Sequence, residues 1–173
     1  KEGKANLEKR IVDNEQWYKL RHWECMRKGD TSEVQPTSAW LFNCIANKHA
    51  SAMDNFPSPN VLPREEGDKG EARMLSAIVP CVLEQNNFEE TYDDAMWRKM
   101  KGGTAVYKVV WDKNKLNGLG DIGVECANIL NLFWEPGITD IQKSRYFFHT
   151  ELCDKDLLQE RYPEQLKDKH LGD

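Results

Sequence analysis

The chain has 173 residues, a length typical of one domain and sufficient to bury about two-thirds of its unfolded surface. Its net charge of -5 and the lack of a long basic run disfavour tight general binding to phosphate backbones. No apolar run approaches the roughly 20 residues of a membrane helix, and the charged start lacks the apolar core of a signal peptide. Because the first residue is Lys rather than Met, we expect a trimmed piece of a longer protein.

The first predicted helix spans about residues 8–27 and ends before Gly29. One side carries, at helical spacing, Leu7, Ile11, Tyr18, His22 and Cys25. Another side carries Trp17, Leu20 and Trp23. A helix that is apolar on two sides is typically sandwiched between two surfaces. Two interpretations stay open: its own domain covers both sides, or Trp17, Leu20 and Trp23 contact a neighbouring subunit.

A second helix is predicted to begin at an N-cap on Thr37 or Ser38. Pro57 and Pro59 forbid its continuation. Its apolar stripe consists of Leu41, Phe42, Ile45, His49, Ala52, Met53 and Phe56. The segment 60–63 that follows the prolines is compatible with a short edge strand.

The next two predicted helices carry different signals. The first has the i, i+3, i+4, i+7 pattern of a buried stripe at Leu75, Ile78, Val79 and Val82. Pro80 lies on its opposite side and is expected to bend it or to begin a new helix. Asn86 or Asn87 is predicted to cap the second, whose acidic start and basic end complement the helix dipole. Its predicted buried stripe is Phe88, Tyr92, Ala95, Met96 and Met100.

Gly102 and Gly103 mark a change from a 3.6-residue to a 2-residue hydrophobic period. The residues that follow, about 104–127, predict an antiparallel β-hairpin with the turn dipeptide 117–118 in its connection. The alternation predicts one shared face for Ala105, Tyr107, Val109 and Trp111, and inward positions in the return strand for Ile122, Val124 and Cys126.

Beyond the hairpin, the sequence predicts a strand near 145–151 and a short helix that is capped by Asp154 and ends before Pro163. The predicted fold class is therefore α+β, with several helices packed with a small antiparallel sheet. That sheet is built around the hairpin at about 104–127, plus the strand near 145–151. We expect a single domain over residues 1–173.

Several motifs have both a functional and a structural interpretation. Residues 118–123, GLGDIG, match the GxGxxG dinucleotide fingerprint, but they lead into a predicted strand rather than a helix, which favours a hairpin turn. His49 on an apolar stripe favours a core histidine over a catalytic one. The carboxylates at 89–94 are interpreted as helix-dipole partners rather than a general acid and base. Six tryptophans fit an assembly subunit, since Trp is enriched at interfaces.

The cysteines indicate reduced thiols in a cytosolic compartment, because their number is odd, their spacing is wide and no CxxC pair occurs. They are Cys25, Cys44, Cys81, Cys126 and Cys153. Two looser pairs, His22 with Cys25 and His149 with Cys153, lack third and fourth zinc ligands and belong to unrelated elements. No metal site is therefore predicted. Several cysteines fall on predicted buried faces, where a thiol is inert.

A succession of segments carries a family resemblance. A Trp- and Tyr-rich helix precedes FNCIANKHASAM and a proline-bounded extended piece, and a helix then ends at GGTAVYKVVWD. The segments DIGVE, FWEPGITDI, RYFFHTEL and DLLQERYPE follow in that order. Together they resemble the portal proteins of tailed bacteriophages, over most of the chain.

The resemblance implies a structural subunit of a portal ring, typically of twelve subunits, which forms the DNA-packaging and ejection channel at one capsid vertex and docks terminase. The chain would correspond to the N-terminal part of the wing, with the stem, clip and crown absent. The implied partners are other portal subunits and capsid protein, with terminase and double-stranded DNA bound through other parts of the protein and no membrane. The implied location is the virion, and the host bacterial cytoplasm during assembly.

The resemblance implies no catalytic residue, no cofactor and no metal ligand. Trp17, Leu20 and Trp23 are the residues that we expect at a subunit interface. Two alternatives stay open. One is a small cytosolic α+β enzyme that uses a Cys/His pair or a helical metal site. The other is a different virion or mobile-element adaptor protein.

Overall fold

The computed structural model of the protein describes residues 2–26, 34 and 36–163. The chain divides into two compact units, residues 1–130 and residues 131–173. The α+β class is confirmed, with six helices and two antiparallel sheets of two strands each in the described residues. The expectation of a single domain stays a prediction.

The first unit contains five helices and a β-hairpin in its described part. The helices are α1 (Glu2–Tyr18), α2 (His22–Met26), α3 (Trp40–Asp54), α4 (Lys69–Gln85) and α5 (Phe88–Gly102). The strands of the hairpin are β1 (Val106–Asp112) and β2 (Asp121–Ala127). Short 3-10 turns lie at Glu66–Asp68 and Leu116–Gly118.

The prediction of one continuous first helix is wrong, because a turn at residues 19–21 separates α1 from α2. Leu20 in this turn has a left-handed φ of 63°. The Arg21 N–H donates to the carbonyl of Gln16 at 2.9 Å. A left-handed conformation costs a non-glycine residue about 1–2 kcal/mol. The turn contains no Pro or Gly from which the break in the helix could be predicted. The predicted end near Gly29 lies outside the described residues.

The predicted N-cap of the second helix is also wrong. The cap is Ala39, which offers no side-chain hydrogen bond, rather than Thr37 or Ser38. Helix α3 buries Ile45 and His49 from the predicted stripe. Helix α3 packs against α5, so its stability comes from tertiary contact, with no side-chain cap at its start.

The extended segment after α3 is not the edge strand that the sequence suggested. A single hydroxyl holds it instead. The N–H of Val61 donates to Oγ of Ser76 at 3.0 Å, and the same hydroxyl donates back to the carbonyl of Val61 at 3.2 Å. Both backbone polar groups of Val61 are thus satisfied by α4 rather than by a neighbouring strand.

Helix α4 continues through Pro80 without ending there. Of its predicted buried stripe, Leu75 and Ile78 are each 47% exposed, so that part of the prediction is wrong. The buried residue of this helix is Ala72. The helix turns a smaller face toward the unit than its apolar pattern indicates, and the larger side chains stay in solvent.

Helix α5 is the central element of the first unit, because it packs against α1, α3, α4 and β2. Ala95, at the middle of its predicted buried stripe, is 0% exposed. Gly103 closes the helix in the left-handed conformation, with φ 83°, and its N–H donates to the carbonyl of Lys99 at 2.8 Å. A side chain would be strained at that φ. The change of hydrophobic period at Gly102 and Gly103 therefore has a direct structural cause.

The predicted hairpin is confirmed, and its register pairs Val106 with Ala127 and Asp112 with Asp121. GLGDIG leads into β2 as predicted. Gly120, with φ 83°, lies under the indole of Trp111, where an added Cβ would come within 2.6 Å of the ring nitrogen. A side chain at that position would force the ring to move.

The predicted inward face of the hairpin is only partly covered. Of the β2 residues predicted to point inward, Cys126 and Val124 are half-buried, and Ile122 is exposed. On the shared face of β1, Val109 is exposed and Trp111 is 61% exposed. The end of the hairpin that adjoins the α5 glycines is therefore packed, and the end near its turn projects an apolar face into solvent.

The second unit contains a small sheet and a helix in its described residues. They are β3 (Leu132–Trp134), β4 (Phe147–His149) and α6 (Lys155–Arg161). The predicted strand near 145–151 is confirmed as β4, but it pairs with the unpredicted β3 instead of joining the hairpin. Leu132 in β3 is 1% exposed. Asp154 caps α6 as predicted, accepting a hydrogen bond from the N–H of Asp156 at 3.1 Å.

Candidate functional site

The three residues predicted at an interface are partly engaged within their own chain. Trp17 stacks on His22 with 4.6 Å between ring centroids. Nε1 of Trp23 donates to the carbonyl of Pro36 at 3.0 Å. Trp17, Leu20 and Trp23 are each half-buried and belong to α1, the turn and α2 in that order. They do not form one face of a continuous helix, so their role in a subunit contact stays a prediction.

The two His/Cys pairs do not develop into a metal centre in the described structure. Nε2 of His22 lies 3.2 Å from the carbonyl of Trp17, and the Cys25 side chain lies outside the described residues. His149 pairs with Glu151 at 3.1 Å. Within the described ranges, no group of three or more His, Cys, Asp or Glu residues could hold a metal ion.

The prediction that several thiols are buried is wrong for most of those described. Cys44, Cys81 and Cys153 are exposed. Cys126 is half-buried, and burial raises its pKa against the opposing charge of Arg98. A raised pKa lowers the thiolate fraction at neutral pH, so this cysteine is a poor nucleophile.

His49 is a core histidine, as its position on the apolar stripe predicts. Its ring stacks on Trp97 with centroids 3.9 Å apart. Oδ1 of Asp93 lies 2.9 Å from Nε2, yet the buried Nε2 makes no hydrogen bond with the described residues. The two atoms lie close together, but their contact lacks the alignment of a hydrogen bond.

The first unit contains an open groove of about 850 Å³. The end of α3, the segment 57–59, the second half of α4 and the first turns of α5 surround it. Its apolar lining is Met53, Phe56, Pro57, Pro59, Pro80, Leu83 and Phe88. We call this feature the acidic groove, for the charges described below.

An aromatic cluster forms the wall of the acidic groove. The chain leaves α3 before Pro57, and Phe56 then turns toward α5, where its ring meets that of Tyr92 at 5.1 Å in an edge-to-face arrangement. Phe88 lies 6.1 Å from Phe56 and 5.8 Å from Tyr107 of the hairpin. These contacts hold the wall in place while leaving Phe56 40% exposed to the groove.

Four carboxylates line the acidic groove, and none of its described lining residues is Lys or Arg. Asp93 is the one beside His49. Glu84, Glu89 and Glu90 make no ion pair with any residue that the structure describes. From the sequence alone, the α5 acids are interpreted only as dipole partners. No pattern in the sequence brings the end of α3 to the start of α5, so the sequence does not predict the groove.

Large apolar side chains are exposed well beyond this groove. The most exposed in the first unit include Trp40 at 76% and Leu119 at 83%, and in the second unit Leu152 protrudes fully. Single exposed apolar residues are ordinary, but so many in one small chain are typical of a protein that forms contacts with others.

A family model for the phage P22-like portal protein matches residues 50–171, more than two thirds of the chain. No curated protein and no solved structure matches the chain. No helix in the described residues is long and apolar enough to cross a bilayer.

Proposed function

Because this chain belongs to the family of phage P22-like portal proteins, we propose that it supplies the peripheral wing structure of a portal subunit. The family is structural and indicates oligomeric assembly in a phage particle. The proposed finer role is a place in the ring that forms the DNA-packaging and ejection channel at one capsid vertex. The observation that carries the proposal is the family match over residues 50–171.

The surface of the chain supports a role in assembly. Trp40, Trp111 and Leu119 leave extensive apolar area in solvent, which is costly for a protein that works alone. Neighbouring subunits in a ring would cover such area, since ring interfaces are heterologous and use two different patches of each subunit. The expected neighbours are other portal subunits, in a dodecamer, and capsid protein.

The charge of the chain supports a division of labour in the parent protein. A net charge of -5 suits a part of the ring that does not grip a phosphate backbone. We therefore assign the contacts with double-stranded DNA and with terminase to other parts of the parent protein. The proposed location is the virion, with assembly in the host bacterial cytoplasm.

Within this proposal, Trp17, Leu20 and Trp23 contribute to a subunit contact. Each is half-buried, so part of its surface is exposed to solvent and would be covered in a subunit contact. Because Trp17 also stacks on His22, changes here must be separated from effects on folding.

The test is electron microscopy of the complete parent protein, which should show rings with a central hole. Trp17→Gln with Trp23→Gln should reduce the ring fraction by about tenfold, since buried Trp residues dominate interface energies. The control is Lys9→Gln, an exposed residue of α1 outside this cluster, which should leave the ring fraction unchanged. An unchanged ring fraction would refute the assignment of these residues, as would loss of the far-ultraviolet circular dichroism of the folded chain.

A further inference from the structure

We propose that the acidic groove binds a protein segment in which an aromatic or leucine anchor is flanked by lysines or arginines. The partner is a protein other than this chain, and the inference concerns a surface separate from the Trp17, Leu20 and Trp23 cluster. It does not require the ring to form.

The shape of the groove suits a peptide segment. A volume of about 850 Å³ lies in the range of sites that enclose several side chains. Much of its apolar lining consists of proline rings and phenylalanines, which offer flat apolar surfaces without donors of their own. Phe56 and Pro80 are exposed, so an incoming apolar side chain reaches this lining without any rearrangement of the unit.

The charge of the groove selects the flanks of the segment. Glu84, Glu89 and Glu90 line the groove beside its apolar residues and make no ion pair within the described part of the chain. The N-terminus of α5 contributes about half of one positive charge, which cannot neutralise three carboxylates. The remaining negative potential attracts cations and repels nucleic acid, so a basic protein segment fits and a phosphate backbone does not.

The groove is also held ready for binding. The hydroxyl of Ser76 fixes the extended segment at Val61, and the rings of Phe88 and Tyr92 support Phe56. A preformed wall spares the partner the cost of ordering the site, so affinity depends on the anchor and the flanking charges.

The experiment measures fluorescence anisotropy of labelled peptides with the 173-residue chain. The probe KKLFKK carries both the anchor and the basic flanks, EELFEE reverses the charge, and KKGGKK lacks the anchor. We expect KKLFKK to bind at least about tenfold more tightly than either control, and its affinity to fall with added salt.

Two sets of variants locate the binding site. Glu89→Gln with Glu90→Gln should weaken KKLFKK by about fivefold to tenfold, because two partly desolvated charge contacts are lost. Glu89→Lys with Glu90→Lys leaves Glu84 and Asp93 to balance the two new lysines, so the preference for KKLFKK over EELFEE should be lost. The matched control is Glu71→Gln with Glu160→Gln, two exposed carboxylates outside the groove, and it should leave the affinity unchanged.

Equal binding of KKGGKK, no binding of KKLFKK, or an affinity that ignores the changes at Glu89 and Glu90 would overturn the proposal. If those changes alter the sedimentation of the chain alone, the occupant is a second copy and the assignment of a foreign partner fails. Rings without peptide binding would sink this inference alone, and peptide binding without rings would sink only the proposed function.

Discussion

The two ends of helix α5 differ in how many of their charged and polar groups have partners in the described part of the chain. At the C-terminal end, Lys101 pairs with Glu15 of α1 at 3.0 Å, and its carbonyl accepts a hydrogen bond from Asn14 at 2.9 Å. Gly102 lies close to Ile11. At the N-terminal end, Glu89 and Glu90 face an open apolar groove without an ion pair in the described residues.

This difference separates residues that hold the fold from residues available to a partner. A satisfied end contributes to stability through contacts that the isolated chain already makes. An end whose carboxylates lack ion-pair partners gains less stability from them, and its charges are better explained by binding. Substitutions along α5 should therefore change stability at one end and binding at the other.

The largest loss of stability is expected from a change at the middle of α5, where the side chains are closely packed. Ala95→Leu adds three carbons at a position with no exposed surface, and overpacking of this kind costs about 2–3 kcal/mol. Urea unfolding followed by circular dichroism measures the loss. The matched control is Ala77→Leu on the exposed side of α4, which should change stability by less than about 0.5 kcal/mol. Equal effects of the two changes would show that α5 is not the packing centre.

A smaller effect is expected at the C-terminal end. Burial alone would raise the pKa of Glu15, but hydrogen bonds and charges from Lys101 and Lys19 outweigh it and lower the pKa overall. Glu15→Gln should therefore cost about 0.5–1 kcal/mol at pH 7, a figure reduced for the partial exposure of the pair.

The lowered pKa of Glu15 determines how the stability lost in Glu15→Gln changes with pH. A carboxyl group with a lowered pKa in the folded state stabilises the fold above its unfolded pKa of about 4.3, and this contribution is lost as the pH falls through the folded pKa. The stability difference between Glu15→Gln and the unchanged protein should vanish in that acidic range. Glu90→Gln at the other end should change stability by less than about 0.5 kcal/mol. A larger loss for Glu90 than for Glu15 would contradict the comparison.

The smallest effect concerns a thiol that faces the middle of α5. Cys126 has a raised pKa through burial, whereas Cys44, Cys81 and Cys153 are exposed. Alkylation with iodoacetamide at pH 7.5, followed by peptide mass mapping, should label Cys126 about fivefold more slowly than the exposed thiols. Preferential labelling of Cys126 would instead support the alternative of a Cys/His enzyme. Stoichiometric zinc in elemental analysis would do the same for a metal site.

Local chemistry predicts those elements whose signals lie within a few residues. The hairpin follows from the change of period at Gly102 and Gly103, and α6 follows from the cap at Asp154 and the stop at Pro163. The central stripe of α5 follows from its spacing, with Ala95 fully buried. Each of these features depends on interactions between residues that are close together in the chain, so a single sequence is enough to predict it.

The features that the sequence does not announce depend on contacts between distant residues. The turn at Leu20 has no Gly or Pro, so its left-handed backbone is set by its surroundings. β3 is three residues long, too short for a visible alternation, and exists because β4 pairs with it. The acidic groove joins residues that are more than 30 positions apart, and amphipathic spacing on α4 could not show that Ile78 stays in solvent.

The hydroxyl of Ser76 has a mechanical consequence for the groove. Its oxygen accepts a hydrogen bond from the N–H of Val61, and its O–H donates to the carbonyl of the same residue. The extended segment from Pro57 to Val61 is therefore bound to α4 at one residue. A shift of this segment by one residue along α4 would break both hydrogen bonds at once. The N–H and the carbonyl of Val61 would then lose their partner on Ser76. One serine thus fixes the position of Val61 along α4.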